Sequence, residues 1–197
     1  MKHGRVVLVA LAAGALGVVA SLLSTGPGPL WRTEAGQRLL GTMAAATAPD
    51  PPAGVTVAGR GDPVPTLVLH DLAGQPAAFP GDLGGRPLLV NVWASWCGPC
   101  IEEMPELQRF ASSQGGSGTQ VVGIALDDTE AVRDFLQRVP VDYRILVDAP
   151  GPADAGVRLG NPAGVLPYSV LVSADGRLLK QRIGPFAHGE IDGWATP

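Results

Sequence analysis

Downstream of about residue 62, apolar and polar residues recur with two periods, one typical of strands and the other of helices. The run at 87–93 is almost continuously apolar, as in strands that are buried on both faces of a sheet. The segment at 99–113 carries apolar residues at three-residue steps along one stripe, which predicts a helix. Further strands are predicted at 66–70, 119–126, 143–147, 168–173 and 177–183, and further helices at 129–139, 154–159 and 188–194.

The order of these elements predicts a single α/β domain at 62–197. Strand–helix–strand units connect parallel neighbours through right-handed crossovers, so the middle of the sheet should be parallel. The last two strands flank Ala174-Asp175-Gly176, a strong hairpin signal, and should add an antiparallel edge. We therefore expect a central mixed β-sheet flanked by helices.

The first 25 residues have the pattern of a membrane anchor. Lys2, His3 and Arg5 precede an uncharged run at 6–23, which as a helix would be about 27 Å long, close to the thickness of a bilayer core. The basic residues favour a cytoplasmic N-terminus, so that the rest of the chain is exported. A cleaved signal peptide is the alternative, although Ser24-Thr25-Gly26-Pro27 is a poor cleavage site. We expect a single transmembrane helix at 1–25.

Residues 26–61 form a Gly/Pro/Ala-rich linker between the anchor and the domain. Gly26-Pro27-Gly28-Pro29 and Asp50-Pro51-Pro52 bracket short polar pieces, a composition typical of a flexible tether. Within it, a short helix is expected at 32–40. The predicted organisation is thus an anchor, a tether and one globular domain.

Composition and charge exclude several classes of function. The apolar fraction is 46% and the charged fraction 16%, which excludes a disordered chain. The net charge is −4, and residues 61–197 alone carry nine basic and sixteen acidic side chains. So acidic a domain has no field that would attract a phosphate backbone, and no nucleic-acid partner is expected.

The candidate chemistry lies where the strand at 87–93 gives way to a helix. Cys97 and Cys100 are the only two cysteines, which excludes a disulfide-stapled scaffold and an all-cysteine zinc site. At this spacing both side chains lie on one helical face, at a separation suited to a disulfide. The positive end of the helix should stabilise a thiolate on Cys97. Cys97 is then the attacking thiol, and the more shielded Cys100 is the resolving thiol.

Two other interpretations of this pair are a structural disulfide and half of a metal site. A disulfide that closes so short a loop would stabilise the fold weakly. The three histidines, His3, His70 and His188, are scattered along the chain and supply no obvious further ligands. A Cys-x-x-Cys beside a strand–helix–strand pattern favours redox chemistry, with the Cys97–Cys100 disulfide as the redox centre and with no metal or other cofactor.

The residues around the cysteines resemble a known family. Residues 90–100, Val-Asn-Val-Trp-Ala-Ser-Trp-Cys-Gly-Pro-Cys, are similar to the active-site strand and helix of the thioredoxin superfamily. Residues 101–107 resemble its TlpA/ResA-like branch of membrane-anchored thiol–disulfide oxidoreductases. Residues 165–169, Val-Leu-Pro-Tyr-Ser, resemble the cis-proline loop of the superfamily. The likeness covers about 62–197 and implies a thioredoxin-like fold.

The resemblance also implies roles for individual residues. Pro167 should follow a cis peptide bond and lie near the cysteines, where backbone groups of Leu166 could pair with a bound substrate strand. Asn91 stands where thioredoxins have a buried aspartate, so the proton acceptor for Cys100 must be another group or water. Glu103, one turn beyond Cys100, is the candidate, and the alternative is an ordinary solvated carboxylate.

Three further expectations concern features near these residues. Trp96 should form an apolar contact surface for substrate beside Cys97, whereas Trp93 should belong to the core. His188 should be a surface or helix-capping residue. The segment 148–162 resembles the extra element that this branch inserts in the middle of the fold.

The function implied by the resemblance is a periplasmic oxidoreductase that reduces disulfides of exported proteins. It would be a monomer, anchored by a single pass in the bacterial inner membrane, or soluble in the periplasm if the first segment is cleaved. Because a reductant in an oxidising compartment must be recharged, a transmembrane electron donor is an expected partner. The alternatives are a reductase dedicated to cytochrome c maturation, a thiol oxidase, and a binding module with the same fold and redox-idle thiols. A peroxidase is disfavoured, since the chain has no separate peroxidatic cysteine.

Overall fold

The computed structural model describes residues 31–83 and 85–196. The chain divides into two units, residues 1–40 and 41–197, and helix α1 (Glu34–Thr47) lies across the division. This helix is longer than the short helix expected at 32–40. The predicted anchor at 1–25 lies outside the described residues, and none of the helices described is both long and apolar enough to cross a membrane.

The body is a seven-stranded mixed sheet. The sheet order is β2-β1-β5-β4-β3-β6-β7. Its strands are β1 (Leu67–Asp71), β2 (Pro76–Phe79), β3 (Leu88–Trp93), β4 (Gln120–Leu126), β5 (Arg144–Asp148), β6 (Tyr168–Val172) and β7 (Leu178–Ile183). The helices of the body are α2 (Gly98–Ser113), α3 (Thr129–Arg138), α4 (Ala155–Arg158) and α5 (Glu190–Trp194), with a short 3₁₀ helix at Gly81–Leu83.

The pairing pattern confirms the predicted topology. Strands β3, β4 and β5 are parallel neighbours, and the β6–β7 hairpin forms an antiparallel edge next to β3. Because β3, β4 and β5 succeed one another in one direction across the sheet, right-handed crossovers place α2 and α3 on the same face. The core on that face contains side chains of α2, α3 and α5, and α4 contributes to the core on the opposite face.

One strand was not predicted from the sequence. Strand β2 is the four-residue segment Pro76-Ala77-Ala78-Phe79, and it pairs antiparallel with β1. Proline and alanine are poor strand formers, so the segment carries no strong strand signal. The turn that makes the pairing possible depends on Asp71, whose carboxylate accepts the backbone N–H groups of Ala73 and Gln75 at 2.8 Å each. The pairing with β1 and the turn held by Asp71 therefore make this segment a strand.

Strand β3 supplies both cores and ends directly below the cysteines. All six of its residues are buried. Successive side chains point to opposite faces of a sheet, so Val90 and Val92 enter one core while Leu89 and Trp93 enter the other, beneath α2. Since β3 ends at Trp93 and α2 begins at Gly98, the cysteines lie at the carboxyl edge of a central strand.

The packing beneath the site is tight at Gly123, which lies opposite Asn91 in the β3–β4 register. A Cβ atom at this position would lie 2.6 Å from Ile145 Cδ1 and 3.1 Å from Trp93 Nε1. We expect Gly123→Ala to lower the free energy of unfolding by about 1–3 kcal/mol through overpacking, as measured by urea denaturation. Gly116→Ala is the control, because nothing lies within 4 Å of a Cβ there. Equal effects of the two substitutions would contradict this account.

Candidate active site

The two cysteines are bonded to each other and differ in accessibility. Cys97 Sγ and Cys100 Sγ are 2.03 Å apart, and the two Cα atoms are 5.3 Å apart. Cys97 is 6% exposed and Cys100 is fully buried. Cys97 is therefore the more accessible of the two, which is the order that an attacking Cys97 and a resolving Cys100 would require.

Cys97 is the N-cap residue of α2. Its backbone is extended, and its carbonyl accepts the N–H groups of Cys100 at 3.1 Å and Ile101 at 3.2 Å. Its side chain makes no capping hydrogen bond. Pro99 in the first turn has no N–H, so it leaves one fewer donor unpaired at the helix end. The positive end of α2 therefore lies at Cys97, and we expect it to favour the thiolate over the thiol once the disulfide is reduced.

The loop between β3 and α2 presents one tryptophan to solvent and is fixed by an aspartate. Trp96 is 71% exposed, whereas Trp93 is fully buried and its ring lies 5.3 Å from that of Phe135. Ser95 donates to Asp127 Oδ2 from its backbone N–H at 3.0 Å and from its hydroxyl at 2.6 Å. The core position predicted for Trp93 is confirmed, and Trp96 is available as a contact surface.

The loop before β6 has the cis peptide bond that the resemblance implies, between Leu166 and Pro167. Leu166 packs against the core cluster that contains both cysteines. Sequence reasoning missed Asn161, a buried amide that holds this loop. Its Nδ2 donates to the Val165 carbonyl at 2.9 Å, and its Oδ1 accepts the Val165 N–H at 3.2 Å. Its sequence signal was a polar residue near the end of the 148–162 segment. The same segment also contains the short helix α4.

Glu103 lies on the buried side of α2 and is not a solvated carboxylate. It is 1% exposed, and its oxygens accept Asn91 Nδ2 at 2.7 Å and the backbone N–H of Phe186 at 2.9 Å. Burial raises the pKa of Glu103 to about 7, against the lowering effects of these two hydrogen bonds and of the Arg182 charge. The solvated alternative is therefore wrong. A carboxyl group that exchanges a proton near neutral pH lies one turn from Cys100, on the same side of the helix.

Asn91 is the hydrogen-bond partner that keeps Glu103 in place from the sheet. It is 1% exposed, and its Nδ2 also donates to Ser169 Oγ at 3.1 Å. An amide cannot titrate, so at this position it donates a hydrogen bond to the carboxyl group instead of accepting a proton. The Asn91 amide thus connects Glu103 on α2 to β3 and, through Ser169, to β6.

A second carboxylate of α2, that of Glu106, binds the turn that precedes α5. The sequence pattern did not single it out. Glu106 accepts two hydrogen bonds from Arg109, at 2.9 and 2.7 Å, and the backbone N–H of Gly189 at 2.7 Å. The Arg109 hydrogen bonds are the main reason that the pKa of Glu106 is lowered to about 2. His188 is on the surface as predicted, with Nδ1 3.0 Å from Glu106 Oε2. This segment of chain is thus tied to the active-site helix.

Most of the predicted site residues converge at one edge of the sheet. Cys97 caps α2, which carries Cys100 and Glu103, while Leu166 reaches the same core from the loop before β6. Over residues 31–83 and 85–196, no group of three or more His, Cys, Asp or Glu side chains could hold a metal ion. The Cys97–Cys100 disulfide is the redox-active group of this site.

Comparisons with known proteins agree with this geometry. Residues 60–193 match the Redoxin family. The thiol-disulfide oxidoreductase ResA of Bacillus thuringiensis is 28% identical over 137 residues, which are 68% of this chain and 75% of that protein. A thiol:disulfide interchange protein of the thioredoxin family from Chlorobium tepidum has a similar structure, with a TM-score of 0.58 and 25% identity over 71% of this chain and 97% of that one.

A thioredoxin-related protein from Neisseria meningitidis is also similar, with a TM-score of 0.57 and 29% identity over 64% of this chain and 93% of that chain. The family match spans about two thirds of the sequence and includes the cysteine pair, the buried glutamate and the cis-proline loop. This chain therefore belongs to the Redoxin family and is a ResA/TlpA-like thiol–disulfide oxidoreductase of the thioredoxin superfamily.

Proposed function

We propose that this protein reduces disulfide bonds of exported proteins by dithiol–disulfide exchange through Cys97 and Cys100. The observation that carries the proposal is the asymmetry of the pair. Cys97 retains 6% exposure at a helix N-terminus, whereas Cys100 is fully buried, one turn from a carboxyl group with a pKa near neutral. A plain structural disulfide requires neither the asymmetry nor the neighbouring carboxyl group.

The first step uses the reduced protein. The Cys97 thiolate attacks one sulfur of the substrate disulfide, and a mixed disulfide forms between Cys97 and the substrate. The substrate's S–S bond breaks, and its other sulfur leaves as a thiolate that takes a proton from water. The electrostatic effect of the α2 N-terminus supports this step, because it increases the fraction of Cys97 that is ionised at neutral pH.

The second step releases the substrate. The Cys100 thiol gives its proton to the Glu103 carboxylate, and the resulting thiolate attacks the Cys97 sulfur. The Cys97–Cys100 disulfide forms, as in this structure, and the second substrate sulfur leaves as a thiolate. Two electrons have then passed from the protein to the substrate. Glu103 returns its proton to solvent before the next cycle.

The surface around Cys97 suits an extended segment of a partner protein. Trp96 offers an exposed apolar face next to Cys97, and Leu166 lies just before the cis bond to Pro167. Backbone groups at Leu166 can pair with a substrate strand in the manner of β-strand addition. Recognition of this kind depends on the main chain of the partner more than on its side chains, so it fits a range of disulfide-bonded clients.

The proposed location follows from the first 25 residues. A single-pass anchor in the inner membrane, with the tether at 26–61, would hold a monomeric domain in the periplasm near its clients. Each cycle leaves the protein oxidised, so it needs a donor of two electrons, which we propose to be a transmembrane dithiol carrier. The related ResA proteins are named thiol-disulfide oxidoreductases. That name supports the exchange chemistry proposed here and does not identify the client proteins.

Trapping of clients tests the proposal. In reduced Cys100→Ser protein the first step proceeds and the second cannot, so mixed disulfides with exported proteins should accumulate through Cys97. Non-reducing gels and mass spectrometry of cells that express the variant would identify them, and dithiothreitol should release them. The matched control is the Cys97→Ser/Cys100→Ser double variant, which should trap nothing.

The outcome also separates the candidate functions. Many disulfide-bonded exported proteins among the adducts would support the general reductase, and haem-binding Cys-x-x-Cys-His segments alone would favour the dedicated reductase of cytochrome c maturation. A complete absence of adducts, together with no reduction of insulin by the wild-type protein, would contradict the proposal and favour a redox-idle module.

A further inference from the structure

A buried arginine lies behind the active-site helix. Arg182 on β7 is 2% exposed, and its guanidinium binds Glu190 at the start of α5 through two hydrogen bonds, NH1 to Oε1 at 2.9 Å and NH2 to Oε2 at 3.0 Å. A charge is costly to bury unless it is paired and hydrogen-bonded, and this one is both. Neither residue belongs to the exchange steps described above, so the ion pair requires another explanation.

The ion pair fixes the turn at 184–190 that connects β7 to α5. NH2 of Arg182 also donates to the Pro185 carbonyl at 2.9 Å, and its guanidinium carbon lies 4.5 Å from the centre of the Phe186 ring. Glu190 Oε2 accepts the backbone N–H of Ala187 at 2.9 Å. Both partners of the pair thus bind the main chain or the side chains of the turn, on either side of Phe186.

This turn supplies one of the two hydrogen bonds to Glu103. The Phe186 N–H donates to Glu103 Oε2 at 2.9 Å, so its direction depends on how the turn is held. The positive charge of Arg182 also acts on Glu103 and favours its ionised form. Arg182 therefore influences Glu103 in two ways, through the position of a donor and through its charge.

The other groups around Glu103 do not supply this charge. The amide of Asn91 reaches it from β3. The phenol of Tyr143, just before β5, is neutral, since burial raises its pKa and the Glu103 charge raises it further. On α2 itself, Cys100 lies one turn before Glu103, and Glu106 is already bound to Arg109 and Gly189. Of these neighbours, Arg182 provides the positive charge that can favour the carboxylate.

We propose that the Arg182–Glu190 pair is a positioning element of the active site, which orients the Phe186 N–H toward Glu103 and stabilises Glu103 as a carboxylate. The benefit to catalysis, acceptance of the Cys100 proton, rests on the function proposed above. The effect on Glu103 does not, because it follows from contacts present in the disulfide-bonded state. Arg182 and Glu190 act through Glu103 and do not contact the reacting sulfurs in this account.

The test is a titration of Glu103 by carboxyl carbon-13 NMR in the full-length, disulfide-bonded protein. Removing the charge with Arg182→Gln should raise the pH midpoint of Glu103 by about one unit, a tenfold change in its ionisation constant. Arg182→Lys keeps the positive charge but loses the pair of hydrogen bonds to Glu190, so in this variant the Glu103 midpoint should rise by less. In both variants the Phe186 amide should exchange with solvent faster than in the wild type.

Arg177→Gln is the matched control. This arginine lies one residue before β7, is 56% exposed and pairs with Asp175, so its loss should leave the Glu103 midpoint unchanged. An unchanged midpoint in Arg182→Gln, or an equal shift in Arg177→Gln, would overturn the proposal. If Arg182→Gln does not fold, Arg182→Lys is the deciding variant. A Glu103 midpoint and a Phe186 amide exchange rate in Arg182→Lys that both equal the wild-type values would equally overturn the proposal.

A kinetic measurement separates this inference from the proposed function. The pH dependence of the resolving step should shift by the same amount as the Glu103 midpoint if Glu103 accepts the Cys100 proton. A shifted titration with unchanged kinetics would support the positioning role of Arg182 and count against the acceptor role of Glu103.

Discussion

Replacement of Cys97 by serine should lower the rate of insulin disulfide reduction by at least about a thousandfold, because it removes the nucleophile from which every later step follows. Cys100 cannot substitute for it. Cys100 is fully buried in the disulfide-bonded structure, whereas Cys97 retains 6% exposure at the start of α2. Turbidity of insulin with dithiothreitol as the final reductant measures the effect.

The alkylation of single-cysteine variants gives an independent check. Reduced Cys100→Ser, which retains Cys97, should react with iodoacetamide faster at pH 7 than a free thiol of pKa about 8.5. Reduced Cys97→Ser, which retains only the buried sulfur, should react slowly. Insulin reduction by Cys97→Ser, or faster alkylation of its remaining thiol, would mean that the roles of the two cysteines are reversed.

Replacement of Glu103 by glutamine should slow the resolving step by about a hundredfold, because a positioned general base is lost. Reduced protein mixed with an aromatic disulfide such as dithiobisnitrobenzoate should release two thiolates in sequence, the first when Cys97 attacks and the second when Cys100 attacks Cys97. Only the second phase should be slow in Glu103→Gln. In the wild type its rate should rise with pH through about 7, where Glu103 loses its proton.

Glu102→Gln is the matched control for that experiment, since Glu102 is an exposed carboxylate on the same helix. It should leave both phases unchanged. If Glu103→Gln retained the wild-type second phase and its pH dependence, water or another group would be the proton acceptor, and the mechanism proposed for the second step would be wrong.

The same substitution should change the pH dependence of stability. The pKa of Glu103 is about 7 in the folded protein and 4.5 for an ordinary glutamate, so the folded state holds this proton more tightly than the unfolded chain does. Burial of Glu103 therefore costs little below pH 4.5, and the cost increases as the pH rises to 7 and then levels off. Relative to the wild type, Glu103→Gln should gain about 3 kcal/mol in free energy of unfolding between pH 4.5 and pH 8.

Stability at low pH depends on a different carboxylate. Because the pKa of Glu106 is lowered to about 2, its contacts stabilise the fold fully above pH 4.5 and are lost as the pH falls toward 2. The two glutamates thus have opposite effects on stability, and denaturation curves taken at several pH values can distinguish them. The cause is their surroundings, since Glu103 is desolvated by the core and Glu106 is bound by Arg109.

Local sequence pattern was sufficient to predict the elements that run along one stretch of chain. The continuous apolar run of β3, the three-residue stripe of α2 and the turn signal between β6 and β7 each depend on local periodicity, and their bounds agree with the structure to within about two residues. The redox pair was equally local, since a helix start and the Cys97–Cys100 spacing are both visible in sequence. Resemblance added the cis bond at Pro167.

The protonation chemistry and the contacts that support it depend instead on the folded arrangement. Glu102, Glu103 and Glu106 are indistinguishable as letters on one helix, yet one is exposed, one has a pKa near 7 and one a pKa near 2. The difference arises from residues distant in sequence, among them Asn91, Phe186 and Arg182. A carboxyl group's pKa depends on burial and on nearby charges, and both are properties of the folded arrangement, which local periodicity does not specify.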